Sequence, residues 1–354
     1  MRAILVVVAA CSARSEPAIP DPRAIAATAD ASVADAPPPR DPRRWFAGDV
    51  HMHVAPPDDR DVMLSEAQIA KRAVAAHMDF VVLTPHLWLW PNKPFARAWT
   101  TLATQARAES TITMIPGVEW TTRSGHFTVT GTDIAALGTD FLPAAHAAGA
   151  FISVNHPYAV PTNIGTIPPS HYDMSYRVWT HRARGFTAID GVEVWNLPLG
   201  VANVISRPGG RTGEDNAWTE ANRVVHVEHR KLTAVGGTDN HREEVVATTW
   251  VLATDRSEPA ILDALRAGAT CVGSPAGGSL RARGDRDPTW HRIGDSVSAP
   301  HTITLAWDGT ARLFVDDVDR GEHTGGFEHA TGGELHTYRI VIGSSRCGFV
   351  YANL

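Results

Sequence analysis

Two histidines separated by one residue, His51 and His53, follow an apolar run that begins at Trp45. In an extended strand, residues i and i+2 project from the same face, so both imidazoles would point to one side. Imidazole pairs of this kind suit a transition-metal ion. The motif also occurs on ordinary sheet surfaces, and its meaning therefore depends on the residues that follow it.

Further histidines and carboxylates stand where later apolar runs end. They are His86 in Thr84-Pro85-His86, Glu119 in Gly117-Val118-Glu119, His126 at the start of the next run, His156 in Asn155-His156-Pro157, and Asp239 and His241 in Thr238-Asp239-Asn240-His241. Each has a structural interpretation by itself, as a turn, a cap or a hydrogen-bonded loop residue. Because loops that follow parallel strands share one face of a barrel, their combination predicts a metal cluster on that face.

The elements that must position these residues alternate between strands and helices. Ser65 and Gln68 form the pattern of a capping box at the start of a helix, and 79–84 is a continuous apolar run typical of a buried strand. Repeated strand–helix units predict parallel strands that close into a barrel over 45–275. From about Ser279 the pattern changes to alternating strands, which predicts a small antiparallel, β-sandwich-like module over 276–354.

The first 44 residues have a different composition. Residues 1–11 resemble a bacterial lipoprotein signal, in which Cys11 would carry the lipid, and 12–44 are rich in Ala, Pro and Asp, as in a disordered tether. We therefore expect an exported protein, periplasmic or anchored to the outer membrane. A misassigned start or an ordinary frayed terminus is the alternative. The remaining cysteines, Cys271 and Cys347, would either pair in an oxidising compartment or stay as buried thiols.

The composition bounds the possible partners. At 354 residues the chain is long enough for a barrel and a small module, and its net charge is −6. A negative charge argues against non-specific binding to nucleic acid. We therefore expect a small-molecule ester substrate, no nucleic-acid partner, and membrane contact only through a lipid at Cys11.

In their order along the chain, these motifs resemble those of the polymerase and histidinol phosphatase (PHP) family of metal-dependent hydrolases. The matching segments are Gly48-Asp49-Val50-His51-Met52-His53, Leu83-Thr84-Pro85-His86, Gly117-Val118-Glu119 with Gly125-His126, Val154-Asn155-His156-Pro157, and Gly237-Thr238-Asp239-Asn240-His241. The resemblance covers about 45–275 and implies a distorted (β/α)7 TIM-like barrel with two or three divalent metal ions. The segment 249–268 resembles the carbaryl-hydrolase branch of the family.

The resemblance also implies how the ligands divide. The first metal would be held by His51, His53, Glu119 and Asp239, the second by bridging Glu119 with His126 and His156, and the third by Asp58, His86 and His241. Asp59 is an alternative to Asp58. Pro85 stands where the family often has an aspartate, which removes a carboxylate that could orient His86.

A ligand set of imidazoles and carboxylates suits Zn, Mn or Fe. It predicts hydrolysis by a metal-bridged hydroxide, with a phosphate ester as the expected substrate and with Glu119, Asp239 and His241 as catalytic residues. Arg123 and Arg242 would bind a phosphate, and Trp88 and Trp120 would form an aromatic wall beside it.

Three other readings of the pattern remain open. Trp-lined loops also suit a carboxyl or carbamate ester. The amidohydrolase barrel opens with His-x-His as well, but it is expected to present a lysine where this chain has Glu119. A non-catalytic cell-surface module with a bound metal is the third alternative.

Overall fold

The computed structural model describes residues 41–57, 62, 64–88, 91–122, 125–157, 189–196, 213–242 and 245–354. The predictions for the signal segment with Cys11, for nearly all of the tether, for Asp58 and Asp59, and for Arg123 lie outside these residues. The described residues from Asp41 to Leu354 form one compact unit. Among them, no helix is both long and apolar enough to cross a membrane.

Eight strands precede the last predicted ligand motif. They are β1 Arg44–Met52, β2 Phe80–Leu83, β3 His86–Trp88, β4 Thr113–Thr122, β5 Gly125–Thr130, β6 Phe151–Val154, β7 Gly191–Asn196 and β8 Thr233–Gly237. The α-helices are α1 Glu66–Ala75, α2 Lys93–Ala108, α3 Phe141–Ala147, α4 Gly213–Glu228 and α5 Glu258–Ala267. Two short 3-10 turns span Ile134–Ala136 and Ala276–Ser279.

The predicted capping box opens α1. The Ser65 hydroxyl accepts a hydrogen bond from the backbone N–H of Gln68, and the Gln68 side chain accepts one from the backbone N–H of Ser65. Two of the helix's unpaired N-terminal donors are thereby satisfied. The buried face of α1, formed by Ile69, Ala70 and Ala73, packs in the same core cluster as Val81 and Leu83 of β2.

Most of the pairings among these strands are parallel, but one strand departs from the prediction. β1, β2 and β4 pair in parallel, as do β6, β7 and β8. β5 is antiparallel to both β4 and β6. Only two residues separate Thr122 from Gly125, and a link of that length permits a hairpin but no parallel crossover. The expectation of parallel strands throughout is therefore wrong at β5.

The C-terminal end of β8 lies beside the C-terminal end of β1. The backbone N–H of Asp239 donates to the carbonyl of His51 over 2.9 Å, and the N–H of His53 donates to the carbonyl of Asn240 over 3.2 Å. The other half of β1 pairs antiparallel with β9, Thr249–Ala253, so β8 meets β1 only near its C-terminal end. The predicted mixed α/β fold is confirmed, whereas the (β/α)7 barrel and the domain boundaries stay predictions.

The C-terminal part is predominantly antiparallel. Its strands are β10 Thr270–Val272, β11 Arg281–Gly284, β12 His291–Arg292, β13 Ser296–Val297, β14 Thr302–Val315, β15 Val318–Ala330, β16 His336–Ile342, β17 Ser345–Cys347 and β18 Val350–Ala352. β14 is one continuous strand of 14 residues, and it pairs antiparallel with β15 along most of its length. Between them, Asp316 and Asp317 adopt φ of 53° and 61°, which matches the twist of a tight hairpin turn.

A disulfide bond joins Cys271 of β10 to Cys347 of β17, and the two residues face each other across an antiparallel pair. Of the two alternatives for these cysteines, the structure has the paired one. Because β10 also pairs with β9, backbone hydrogen bonds run from the strands next to the candidate site into the C-terminal β strands.

Candidate metal centre

The C-terminal end of β1 carries His51 and His53 into the interior, where both side chains are buried. Asp49, one step earlier on the same side, anchors this segment to β8. It accepts hydrogen bonds from the backbone N–H groups of His51 and Thr238 at 3.0 and 3.2 Å, and from the Thr248 hydroxyl at 3.3 Å. Burial raises the pKa of Asp49 to about 6, although its hydrogen bonds oppose that shift.

Glu119 lies at the centre of five imidazoles. Its Oε1 is 3.0 Å from His126 Nδ1, 3.2 Å from His51 Nε2 and 3.3 Å from His156 Nε2, and its Oε2 is 3.3 Å from His86 Nε2 and 3.7 Å from His53 Nε2. Burial alone would raise the pKa of Glu119, but its interactions with the surrounding histidines, His126 and His51 above all, outweigh burial and lower the pKa well below its usual range. The carboxylate is therefore ionised at neutral pH.

Asp239 supplies a second carboxylate beside the first. Its Oδ1 is 3.1 Å from His53 Nε2 and 3.5 Å from His51 Nε2, and its Oδ2 is 3.9 Å from His156 Nε2. Burial opposes ionisation here too, yet the neighbouring histidines, His51 above all, lower the pKa of Asp239. Asp239 adopts a left-handed φ of 51°, in the turn directly after β8.

Two histidines on the rim are held in the neutral form that metal binding requires. Burial, together with the charge of His53, lowers the pKa of His241 to about 4. Burial also lowers the pKa of His126, although Glu119 opposes the shift. In the interior the balance is reversed, because nearby carboxylates outweigh burial and raise the pKa values of His51 and His156. The pocket therefore favours a positive charge at its centre.

The ligand atoms fall into four groups in which all atoms lie within 4.8 Å of one another. These groups are His51–His53–Glu119, Glu119–His126–His156, His51–His156–Asp239 and His53–His86–His241. In addition, His51 Nε2 is buried and has no hydrogen-bond partner among the described residues, although two carboxylate oxygens lie within 3.5 Å of it. A divalent cation between these atoms would give His51 Nε2 a partner and offset the charge of the carboxylates. The donor set therefore fits a metal centre.

The structure brings the predicted ligands together in a way that resembles the predicted sets. His51, His53 and Glu119 form one group, with Asp239 adjacent, and Glu119, His126 and His156 form another. For the predicted third metal, His86 and His241 group with His53. Asp58 lies outside the described residues, so the ligand that it was expected to supply stays a prediction.

Glu193 of β7 was missed by the sequence reasoning. This buried residue accepts a hydrogen bond from His51 Nδ1 at 3.1 Å through Oε1, and its Oε2 accepts from the backbone N–H of His156 at 2.6 Å. Such a contact fixes the ring orientation and tautomer of a metal-binding histidine. The available signal was a lone acid within the apolar run Gly191–Asn196.

Two other residues complete the support around the ligands. Asn155 donates from Nδ2 to Glu119 Oε1 at 3.0 Å and accepts from the backbone N–H of Thr128 at 3.1 Å. Gly237 lies so close to its neighbours that an added Cβ would come within 2.3 Å of both Glu193 Oε1 and His51 Cβ. A glycine at this position therefore permits the approach of β8 to the ligands.

The predicted substrate-binding residues lie in different environments. Trp88 lies on the same side of β3 as His86, with the two rings 5.7 Å apart. Trp120 instead packs on the rings of Phe127 and Phe141, at 5.8 and 5.5 Å, where it is partly buried against the core. Because adjacent residues of a strand face opposite sides, Trp120 points away from Glu119, and its assignment to a substrate wall is wrong. Arg242 is exposed directly after His241.

No protein-family model and no curated sequence matches this chain. Among solved structures, one that is similar is a two-domain protein from Bacteroides vulgatus containing a predicted PHP-like metal-dependent phosphoesterase, with 18% identity and a TM-score of 0.45 over 86% of this chain and 92% of that one. Another is the lesion-specific endonuclease Q from Pyrococcus furiosus, with 13% identity and a TM-score of 0.38 over 70% of this chain and 64% of that one. A third is endonuclease Q with a 27-mer duplex substrate, with 11% identity and a TM-score of 0.36 over 63% of this chain and 57% of that one.

The description of the Bacteroides vulgatus protein names the family whose motifs this chain resembles, and the carbaryl-hydrolase branch stays a prediction. The expectation that nucleic acid is excluded as a partner is corrected: endonuclease Q is described with a 27-mer duplex substrate, and a net charge of −6 does not by itself exclude a nucleic-acid substrate. The physical reason is that bound cations dominate the local field of such a site and can outweigh the mean charge of the chain.

Proposed function

We propose that this protein is a metal-dependent hydrolase of phosphate esters. The observation that supports this most directly is Glu119, whose two oxygens lie within 3.7 Å of five imidazole nitrogens, with a second carboxylate, Asp239, at the same histidines. Paired carboxylates among histidines suit two neighbouring divalent ions that share Glu119. When bound there, such ions supply Lewis acidity and lower the pKa of a coordinated water.

Some residues of the centre would hold the metal ions, and others orient the residues that hold them. Glu119, His126 and His156 would hold one ion, and His51, His53 and Asp239 another. Glu193 keeps His51 Nε2 directed at the carboxylates by accepting from Nδ1. His241 Nδ1 donates to the backbone carbonyl of Asp239 at 3.0 Å, which leaves Nε2 as its basic atom, able to bind an ion or accept a proton.

The open side of the centre would admit the substrate. The side chains of His241 and His86 are 30% and 18% exposed, whereas those of His51, His53 and Glu119 are at most 1% exposed. Arg242 is exposed beside His241, where its guanidinium could bind a phosphate oxygen. A phosphate ester would therefore approach from the side of His86, His241 and Arg242.

The test begins with metal-stripped protein that is reloaded with Zn or Mn. Its substrates are p-nitrophenyl phosphate, bis-p-nitrophenyl phosphate, p-nitrophenyl acetate, a p-nitrophenyl carbamate and end-labelled single- and double-stranded DNA. We expect metal-dependent cleavage of at least one phosphate ester, absent in Glu119→Gln and retained in the control His301→Ala, an exposed histidine of the C-terminal part. Cleavage of the acetate or carbamate alone would establish the alternative ester class. Tight metal binding without any turnover would establish a non-catalytic module.

Export is a separate proposal. The disulfide between Cys271 and Cys347 supports it, because such bonds persist mainly in oxidising compartments. Fractionation of cells that produce the full chain tests it, with a cytosolic location as the contrary result.

A further inference from the structure

Trp88 is the most exposed large aromatic side chain among the described residues, at 59%. Tryptophan is usually well buried, because its large apolar surface is costly to leave in water. By contrast, Leu87, the preceding residue, points to the opposite side of β3 and is only 1% exposed, as is usual for a large apolar side chain. Trp88 therefore presents a large apolar surface to solvent.

The position of Trp88 is fixed relative to the metal centre. His86 pairs with Glu119 across β3 and β4, and Trp88 pairs with Thr121 two residues further along. The ring of Trp88 is nearly parallel to that of His86, with an angle of 12° between the planes and 5.7 Å between centroids. The flat apolar ring of Trp88 thus lies two residues beyond His86 along β3, on the side where the centre opens to solvent.

We propose that Trp88 is a stacking platform for a flat aromatic group carried by the substrate, either an aryl leaving group or a nucleobase, while the ester phosphate occupies the metal centre. This inference rests on the proposed function, which supplies the phosphate site. Stacking on an aromatic side chain accepts any flat ring and contributes roughly 1–3 kcal/mol per base. The strand rigidly separates Trp88 from His86, so the ring and the phosphate would bind at a fixed spacing.

The experiment compares wild type, Trp88→Ala and Trp88→Phe with two matched substrate pairs. Adenosine 5′-monophosphate is paired with ribose 5-phosphate, which lacks the base, and p-nitrophenyl phosphate is paired with glycerol phosphate, which lacks the ring. Trp290→Ala is the control, because the Trp290 ring contacts the guanidinium groups of Arg281 and Arg283 in the C-terminal part. Metal content and KM are measured for each protein with the metal-loaded enzyme.

We expect Trp88→Ala to raise KM for a ring-bearing substrate about 5- to 150-fold, the equivalent of roughly 1–3 kcal/mol of stacking. KM for its ring-free partner and the metal content should stay within twofold of wild type, and Trp88→Phe should recover most of the loss. A loss confined to adenosine 5′-monophosphate identifies a nucleobase, and a loss confined to p-nitrophenyl phosphate identifies an aryl group. Equal losses on ring-bearing and ring-free partners, or no loss on either, would overturn the proposal.

A binding measurement separates this inference from the proposed function. If the wild type cleaves no phosphate ester, the proposed function fails, and the same four compounds are tested by calorimetric binding to the metal-loaded protein. Tighter binding of a ring-bearing compound, lost in Trp88→Ala, would still support the platform. Equal affinity within both pairs would refute it.

Discussion

Glu193 Oε1 lies 3.1 Å from His51 Nδ1 and thereby determines which nitrogen of this histidine faces Glu119. A carboxylate oxygen accepts, so Nδ1 donates, and in the neutral ring Nε2 has the lone pair with which it can bind a metal. The same residue also accepts from the backbone N–H of His156, and one side chain therefore orients two ligands on different strands.

From this contact we predict that Glu193→Gln weakens metal binding by about 10- to 100-fold, the usual effect of losing a partner that orients a ligand. The amide can donate where the carboxylate only accepts, so the tautomer of His51 is no longer fixed. Competition against a fluorescent chelator measures the affinity. Glu328→Gln, on the exposed strand β15, is the matched control, and equal affinities in all three proteins would contradict the role of Glu193.

Metal removal should lower the thermal stability of the folded protein. Five imidazoles surround Glu119, and Asp239 lies beside it. A ligand that binds only the folded state stabilises it by about 2.7 kcal/mol at 100 times its Kd. We expect chelation to lower the Tm by several degrees and added Zn or Mn to restore it. Scanning calorimetry of wild type and His51→Ala provides the check. A metal-independent Tm in the wild type, or an undiminished shift in the variant, would be evidence against the centre.

Gly237→Ala should destabilise the protein and weaken metal binding together. The added Cβ would come within 2.3 Å of Glu193 Oε1 and of His51 Cβ, and forcing atoms into a packed interior costs typically about 1–3 kcal/mol. Urea unfolding and chelator competition measure the two effects. Gly138→Ala is the control, because that glycine is exposed and its added Cβ would have nothing within 4 Å. A Gly237→Ala protein as stable as this control would show that β8 tolerates displacement.

The clustering of these histidines and carboxylates was predictable from the sequence because strand ends carry a strong pattern, whereas the residues that support them were not. His51 and His53 repeat at the strand period, and Ser65 with Gln68 marks the start of α1. Glu193 is one acid in an apolar run, and its meaning depends on His51, which lies 142 residues away along the chain. β15 contains three glycines and charged residues on both faces, so its pairing with β14 gives no periodic signal.

Some errors were avoidable from the sequence itself. Trp120 follows Glu119 directly, and strand alternation already places adjacent side chains on opposite faces. Likewise, only six residues separate Glu119, where one run ends, from His126, where the next begins, and that is too few for a parallel crossover.

Glu220 allows a test of pH dependence away from the metal centre. This α4 residue is only 4% exposed, and burial raises its pKa, although its ion pair with Arg223 opposes the shift. At pH values between the unfolded-state pKa of Glu220, near 4.5, and its higher folded-state pKa, the folded state binds more protons than the unfolded state. The free energy of unfolding should therefore fall as pH rises through this window, because the buried carboxyl must ionise.

Glu220→Gln removes this cost, since an amide does not ionise. The lost ion pair is a small penalty, because the Arg223 side chain is 45% exposed and solvent screens it. We expect the variant to gain stability relative to wild type as pH rises from 4 to 8, measured by urea unfolding with the metal content held constant. Glu328→Gln, at an exposed position, should show no such trend. A constant difference between Glu220→Gln and wild type across this range would mean that the Glu220 carboxyl has the same pKa in the folded and unfolded states.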